Sequence, residues 1–387
     1  VTISRPSTNL PTIHWTEGGE SCAALWRSEA GVAPPKRILI ADDTLSADAA
    51  YRLACEGTAL MWRGDFQNAR QLLQAMARRI DRKPRQPAPT ITAAFHLKRM
   101  AQAQRARTLG MLLIPCTADH LVPLRRAPDV RQACTEAHGP AGAAYVVSLR
   151  ELLGLIGAHE WRKQGVAIPA CGGSIHPHYG VFAPIRSEYV GLVASTPLPA
   201  SLSTHNLAFD IGTGTGVLAA VLARRGVVQI LATDQDARAL ACARENLARL
   251  GLGKQVDIIQ TDLFPPGRAP LIVCNPPWVP ARPSSPLEHA VYDPDSRMLR
   301  GFLDGLPEHL EPGGEGWLIL SDLAEHLGLR PRSELLDLIN RAGLQVLGRI
   351  DVKPTHPRAT GPGEPGDPLH AARAAEVTSL WRLGKKG

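Results

Sequence analysis

The stretch Leu207-Ala-Phe-Asp-Ile-Gly-Thr-Gly-Thr-Gly216 limits what this chain can fold into more than any other. An apolar run of strand length passes directly into Gly212, Gly214 and Gly216, and a helical pattern begins at Val217. Glycines at such a junction permit positive φ and let a ligand approach the backbone. Beyond it, short apolar runs alternate with amphipathic segments. Val228–Thr233 precedes Ala237–Leu250, Val256–Gln260 follows, Leu271–Cys274 precedes Ser296–Leu310, and Gly316–Ser321 precedes Ser333–Ala342. Leu344–Ile350 and Glu376–Leu383 close the series. That alternation predicts an α/β fold: a doubly wound, seven-stranded sheet with helices on both faces. The Pro- and Gly-rich Asp351–Ala375, which joins the last two strands, shows no helical pattern, which predicts an antiparallel last strand and an antiparallel pair at the sheet edge.

Carboxylates mark the ends of the first three strands. Asp210 precedes the glycines, and Asp234 ends the second strand, 20 residues beyond Gly214. A carboxylate at that spacing accepts hydrogen bonds from ribose hydroxyls. Asp236 suits a helix N-cap instead. The third strand ends in Thr261-Asp262-Leu263-Phe264. Val217 stands where a dinucleotide fingerprint has its third glycine, so the turn departs from that fingerprint. A generic nucleotide turn is the plainer reading, and acids at three successive strand ends go beyond it.

The turn with its preceding acid resembles motif I of class I methyltransferases. That resemblance implies a Rossmann-like methyltransferase sheet and S-adenosyl-L-methionine as cofactor. It assigns the cofactor site to Asp210, Gly212, Thr213, Gly214, Gly216, Asp234, Gln235, Asp262, Leu263 and Asn275. In the family the methionine moiety lies against the glycine turn, the acid at the Asp262 position binds the adenine amino group, and a neighbouring apolar side chain packs on the ring.

The fourth strand runs into Asn275-Pro276-Pro277-Trp278. This is similar to the Asn-Pro-Pro-aromatic motif of amino and amide N-methyltransferases. A conjugated NH2 group is planar and a poor nucleophile, so acceptors aimed at its two hydrogens favour the tetrahedral nitrogen that forms during attack. The Asn275 side-chain oxygen and the Pro276 carbonyl are such acceptors. Successive prolines fix φ and hold that carbonyl in place, and Trp278 offers a face to a planar substrate. Orientation and electrostatic stabilisation then supply the rate. A Pro-rich turn after a buried strand is the bland alternative.

Within this group the chain most resembles the HemK-type enzymes that methylate glutamine in translation release factors. Val181-Phe182-Ala183-Pro184, Asp262-Leu263-Phe264 and Tyr292-Asp293-Pro294 carry the similarity. Trp278 replaces the usual tyrosine, and Arg186-Ser187-Glu188 departs from the family's Thr-Glu or Asp-Thr. The resemblance implies a macromolecular substrate: a release factor or other translation protein. The alternative is an exocyclic amine of adenine or guanine in RNA or DNA. A catalytically inert binding module is a third reading, which the intact acidic and Asn-Pro-Pro positions oppose.

Residues 1–180 read differently, as a mainly helical α/β domain for substrate recognition, with the catalytic domain over 181–387. Residues 1–35 read as irregular, Lys36–Ile40 and Gly110–Cys116 as strands, and Val181–Ser203 as a helix leading into the catalytic sheet. Helical spacing covers Ser46–Glu56, Gln67–Ile80, Asp129–Ala137, Val147–His159 and the basic Thr92–Arg107, with a break at Arg82–Pro89. Of the net charge of +7, residues 1–180 carry +8, from 22 Lys and Arg against 14 Asp and Glu. That asymmetry suits contact with nucleic acid or a ribonucleoprotein, and equally a solvated surface. The seven cysteines are scattered without CxxC spacing, and no run reaches membrane-spanning length. With no leader pattern at the N-terminus, a reduced, cytoplasmic setting without membrane attachment is expected. Cys171, His176 and His178 lack the spacing of a metal site and read as part of a loop, Pro169–Gly180. Tyr179 and Phe182 suit substrate contact or burial equally.

Overall fold

The computed structural model describes residues 10–82, 88–140, 142–185, 187–283, 288, 290–354, 367 and 369–387. The chain forms two compact units: residues 10–82 with 96–160, and residues 88–95 with 161–387. The division falls at residue 160, not near 180 as the sequence suggested. Arg186 and much of the Arg82–Pro89 break lie outside the described residues.

The first unit is α/β, with more sheet than its sequence pattern suggested. β1 (Thr12–Glu17) and β2 (Glu20–Arg27) form a hairpin in the stretch expected to be irregular. Gly18 and Gly19, both at positive φ, make its turn. β3 (Arg37–Ala41), α1 (Ala47–Cys55), β4 (Thr58–Trp62), α2 (Phe66–Asp81) and α3 (Ile91–Leu109) follow. Next come β5 (Leu112–Cys116), α4 (Arg131–His138), β6 (Tyr145–Ser148) and α5 (Leu149–Gln164). The sheet order is β1-β2-β6-β5-β4-β3. Val147 and Ser148, expected in a helix, end β6 instead, because Tyr145, Val146, Val147 and Ser148 are all buried between neighbouring strands.

The second unit opens with a small hairpin, β7 (Val166–Ile168) and β8 (Gly173–Ile175), where a loop was expected. Among the described residues of the segment expected to be one long helix, 181–203, the helical elements are α6 (Glu188–Ser195) and a short 3-10 turn, Ala200–Ser203. Pro197 and Pro199 follow α6, where proline cannot continue a helix. Then come β9 (Leu207–Ile211), α7 (Val217–Arg224), β10 (Gln229–Asp234), α8 (Ala237–Arg249) and β11 (Val256–Gln260). β12 (Ala269–Cys274), α9 (Arg297–His309), β13 (Leu310–Ser321), α10 (Leu323–His326) and α11 (Arg332–Arg341) follow. β14 (Leu344–Val352), α12 (His370–Ala375) and β15 (Thr378–Lys385) complete the unit. The seven strands run in the order β11-β10-β9-β12-β13-β15-β14, and β15 is antiparallel to both neighbours. The expected fold is therefore present, and its last two strands, β14 and β15, form the expected antiparallel pair at the sheet edge.

Strand residues alternate between two cores. Ala208, Leu271, Val273 and Ile319 pack with α6, α7 and α8, while Phe209, Ile272, Cys274 and Leu318 pack with α9 and α11. Strands buried on both faces read as near-continuous apolar runs, which made them legible in the sequence. Among the described residues, no helix is long and apolar enough to cross a membrane.

Candidate functional site

Strand register brings the expected site residues into one row. Thr233 of β10 and Cys274 of β12 both lie opposite Ile211 of β9, and Asp234 lies opposite Gln260 of β11. Gly212, Asn275 and Asp234 therefore emerge side by side, on strands about 4.8 Å apart. The order of strands reverses between β9 and β12, the kind of crevice in which open α/β sheets bind ligands.

The glycine turn is built as its sequence demands. Gly212, Gly214 and Gly216 have φ of 72°, 56° and 81°. A Cβ at Gly216 would sit 3.2 Å from Ala243 Cβ, so α8 packs directly on the turn. Thr213 N–H donates to Thr233 O at 2.8 Å, tying the turn to β10. Asn246 ties it to α8: its Nδ2 donates to Thr215 O at 3.0 Å, and its Oδ1 accepts His176 N–H at 2.8 Å. Sequence reasoning passed over Asn246, although a fully buried Asn on the apolar face of a helix is itself a signal.

The acids divide into two kinds. Asp210 is buried, accepting Thr213 Oγ1–H at 2.6 Å and Ala219 N–H at 3.1 Å on one oxygen, so it braces the turn from below. Burial pushes its carboxyl up to about 6, against the lowering effect of those bonds. Asp234 is partly buried and accepts Gly214 N–H at 3.0 Å and Asp236 N–H at 2.9 Å, one on each oxygen. Burial raises it above the usual carboxylate range as well. With Gln235 N–H as a third backbone donor, the four acceptor sites of the carboxylate leave room for one more. Gln235 is exposed, and its carbonyl accepts from the Gln260 side chain. Asp236 caps α8 through Arg238 N–H, as expected.

Asp262 is exposed and forms an ion pair with Arg297 at the start of α9. Leu263 adopts φ 70°, and its carbonyl accepts Thr233 Oγ1–H at 2.6 Å. Its side chain reaches Gly301 of α9, where a Cβ would lie 2.6 Å from Leu263 Cδ1. Phe264 stacks between His309, at 4.3 Å, and Phe302, at 5.9 Å, and so belongs to the α9 core. A Cβ at Gly212 would lie 2.4 Å from Met298 Cε, so the Met298 thioether covers the first glycine. No sequence motif pointed to Met298. It is placed by Asp293, whose two oxygens accept Met298 N–H at 3.0 Å and Leu299 N–H at 3.1 Å. The Tyr292-Asp293-Pro294 step is thus the N-terminal anchor of α9.

In the Asn-Pro-Pro-Trp loop, Trp278 Nε1–H donates to Asn275 Oδ1 at 2.9 Å. This fixes which way the carboxamide faces. Pro276 is buried and Pro277 half-buried. The Trp278 ring, expected as an open stacking face, packs against apolar clusters on both sides of the sheet and against a third formed by Ala94, Phe95, Val279, Leu327, Leu369 and Ala372. Much of the indole is therefore wall. Tyr179 lies under the Arg238 guanidinium at 5.6 Å, and Phe182 is exposed. Cys171, His176 and His178 do not converge: they bond Val217 O, Arg162 O and Glu245 respectively.

Residues 173–332 match the family model described as Methyltransferase small domain. The release factor glutamine methyltransferase of Cereibacter sphaeroides is 33% identical over 159 residues, 38% of this chain and 54% of that protein. The ribosomal RNA small subunit methyltransferase C of Alcanivorax borkumensis is 34% identical over 126 residues, 31% of this chain and 35% of that protein. The ribosomal protein L11 methyltransferase of Sorangium cellulosum is 33% identical over 165 residues, 41% of this chain and 44% of that protein. The chain thus spans about half, or less, of the length of these curated relatives.

Fold and site define the second unit as a class I methyltransferase domain, the class whose cofactor is S-adenosylmethionine. Within that class it is similar to the HemK-type enzymes, the group its Asn-Pro-Pro-aromatic loop resembles.

Proposed function

We propose that this protein transfers a methyl group from S-adenosylmethionine to a planar amide nitrogen, a glutamine side chain of a translation protein such as a release factor. The observation that carries this reading is the Asn275–Trp278 loop, whose carboxamide is oriented by the indole and which stands one strand away from the glycine turn.

The residues present fit the cofactor. Three glycines at positive φ leave backbone free of Cβ atoms, and Asp234 retains acceptor capacity. We assign the hydroxyl-binding role to Asp234, the bracing role to Asp210, and the adenine side to Asp262 and Leu263. When bound, the cofactor supplies an electrophilic methyl group. Asn275 Oδ1 has two lone pairs, of which Trp278 uses one, so the other accepts a hydrogen from the substrate NH2. The Pro276 carbonyl accepts the second. Both favour the pyramidal nitrogen over the planar one. Neither is basic enough to keep the proton the nitrogen sheds, which passes to water. The first unit, with its basic surplus, recognises the macromolecule that bears the target. The seven cysteines are all free, in keeping with a reduced, cytoplasmic setting.

A second reading, methylation of an exocyclic adenine or guanine amine in ribosomal RNA, draws on the same basic surplus and on the Alcanivorax borkumensis relative. Radiolabelled cofactor offered with release factors and with ribosomal RNA separates the two. Label in protease-sensitive material is expected, and label in nuclease-sensitive material alone would transfer the assignment to RNA. Asn275→Ala should abolish turnover and leave cofactor affinity within about twofold. Equal loss of both would remove Asn275 from the acceptor role.

A further inference from the structure

One charged side chain stands behind the acceptor loop without belonging to any motif. Arg330, between α10 and α11, is 3% exposed. Its Nη2 donates to Trp278 O at 3.2 Å, and its Nη1 donates to Ser296 Oγ at 3.2 Å. Burial pulls its acidity up, and the groups that face it are Asp293, Glu325 and Glu334 among the acids and Arg300 among the bases. Burying a guanidinium is costly unless its partners are well placed, and an apolar residue there avoids that cost.

Both partners of Arg330 lead to the reaction site. Trp278 carries the carbonyl that Arg330 holds and the indole N–H that orients Asn275. Ser296 is buried at φ 53°, directly after Asp295 at φ 55°. Two consecutive non-glycine residues in the left-handed region are strained and persist only where the surroundings over-determine them. This turn sets Met298 over Gly212, and Asp293 joins it back to the loop, donating its N–H to Val279 O at 2.9 Å. Arg330 is thus the one buried cation, among the described residues, bonded to both the acceptor loop and the turn that covers the cofactor side.

We propose that Arg330 is a positioning residue for methyl transfer: it fixes the Asn275–Trp278 loop relative to the Asp293–Met298 turn, so that acceptor oxygens and glycine turn keep one relative placement. It touches neither substrate nor cofactor. The inference rests on the reading of Asn275 as the acceptor group.

The test uses the full chain with Arg330→Met, Arg330→Lys and Ser296→Ala. Arg330→Met keeps the aliphatic stem and its apolar contact but loses both bonds and the charge. It should lower kcat roughly tenfold or more, with KM and the Kd for S-adenosylhomocysteine within about twofold. Arg330→Lys, which can reach one oxygen, should recover part of that loss. Ser296→Ala removes one bond only and should lose less, which keeps the test informative if Arg330→Met does not fold. Hydrogen exchange of the S-adenosylhomocysteine complex reads the same idea without a substrate: protection at the Val279 and Met298 amides should fall in Arg330→Met. Unchanged kcat with unchanged protection overturns the proposal. So does a kcat loss that tracks cofactor affinity or global unfolding. If the unaltered protein methylates neither substrate, the function above fails while the exchange result still decides the role of Arg330.

Discussion

Asp210 shows how one side chain carries opposing demands. It must sit beneath the glycine turn to accept from Thr213 and Ala219, and there it is shut off from water. Its carboxyl titrates near 3.8 when unfolded and at about 6 in the fold. Between those values the native state holds a proton that the unfolded chain has released. Stability therefore falls as pH rises from about 4 to about 6 and is level above. Asp210→Asn keeps an oxygen for both donors and removes the titration. Relative to the parent, the variant should gain roughly 2 to 3 kcal/mol across that window, as measured by urea unfolding at fixed pH values. A difference that does not change with pH would mean that Asp210 is not held neutral. Trp278→Phe isolates another single bond, the indole N–H to Asn275. With the ring's bulk largely kept, kcat should fall about tenfold while cofactor affinity holds, because only the carboxamide loses its restraint. Unaltered turnover would make Trp278 a wall residue alone.

At the scale of elements, the glycine turn was legible because each glycine answers a local need. The three positions do not answer it equally. A Cβ at Gly216 meets Ala243 Cβ at 3.2 Å and its Cα at 3.3 Å, whereas among the described residues nothing lies within 4 Å of one at Gly214. Both sit at positive φ, which costs a non-glycine residue about 1–2 kcal/mol. Gly216→Ala should therefore destabilise the second unit by clearly more than Gly214→Ala in denaturant unfolding. Equal losses would show that α8 can shift away from the turn. The central strands β9 and β12 were legible for a related reason: both faces are buried, so apolar residues run on almost without interruption. The β1–β2 hairpin was not, because it is a largely exposed edge pair whose polar residues mask the alternation. Its Gly18-Gly19 turn was the available signal. β6 was read into the helix that follows it, since Val147 and Leu149 fit either period. Met298 and Arg330 had no local signature at all. Their partners, Gly212 and Trp278, are far away in sequence, and only the folded register brings them together.

The chain as a whole does not divide where its composition changes. Residues 88–95 lie in sequence between the two parts of the first unit yet belong to the second, and the boundary falls inside α3. Ala94 and Phe95 are 4% and 5% exposed within the cluster that also holds Val279, Leu327, Leu369 and Ala372, with Trp278 against it. Phe95 meets Tyr292 edge to face at 6.4 Å. Thr92 Oγ1 donates to Leu327 O at 2.9 Å, which pins the same segment by a polar bond. The wall behind the acceptor loop is therefore completed by a segment that the sequence places in the other half. Truncating Phe95 to Ala removes a buried ring and should cost the second unit about 3–5 kcal/mol. The first unit, whose core residues are its own, should keep its stability. S-adenosylhomocysteine identifies the transition that belongs to the second unit, since a ligand raises only the stability of the fold it binds. Phe95→Ala should lower that ligand-sensitive transition and leave the other in place. If both transitions move together, the units unfold as one. If neither moves, the 88–95 segment is not part of the second unit's core, and the wall behind Trp278 must stand without it.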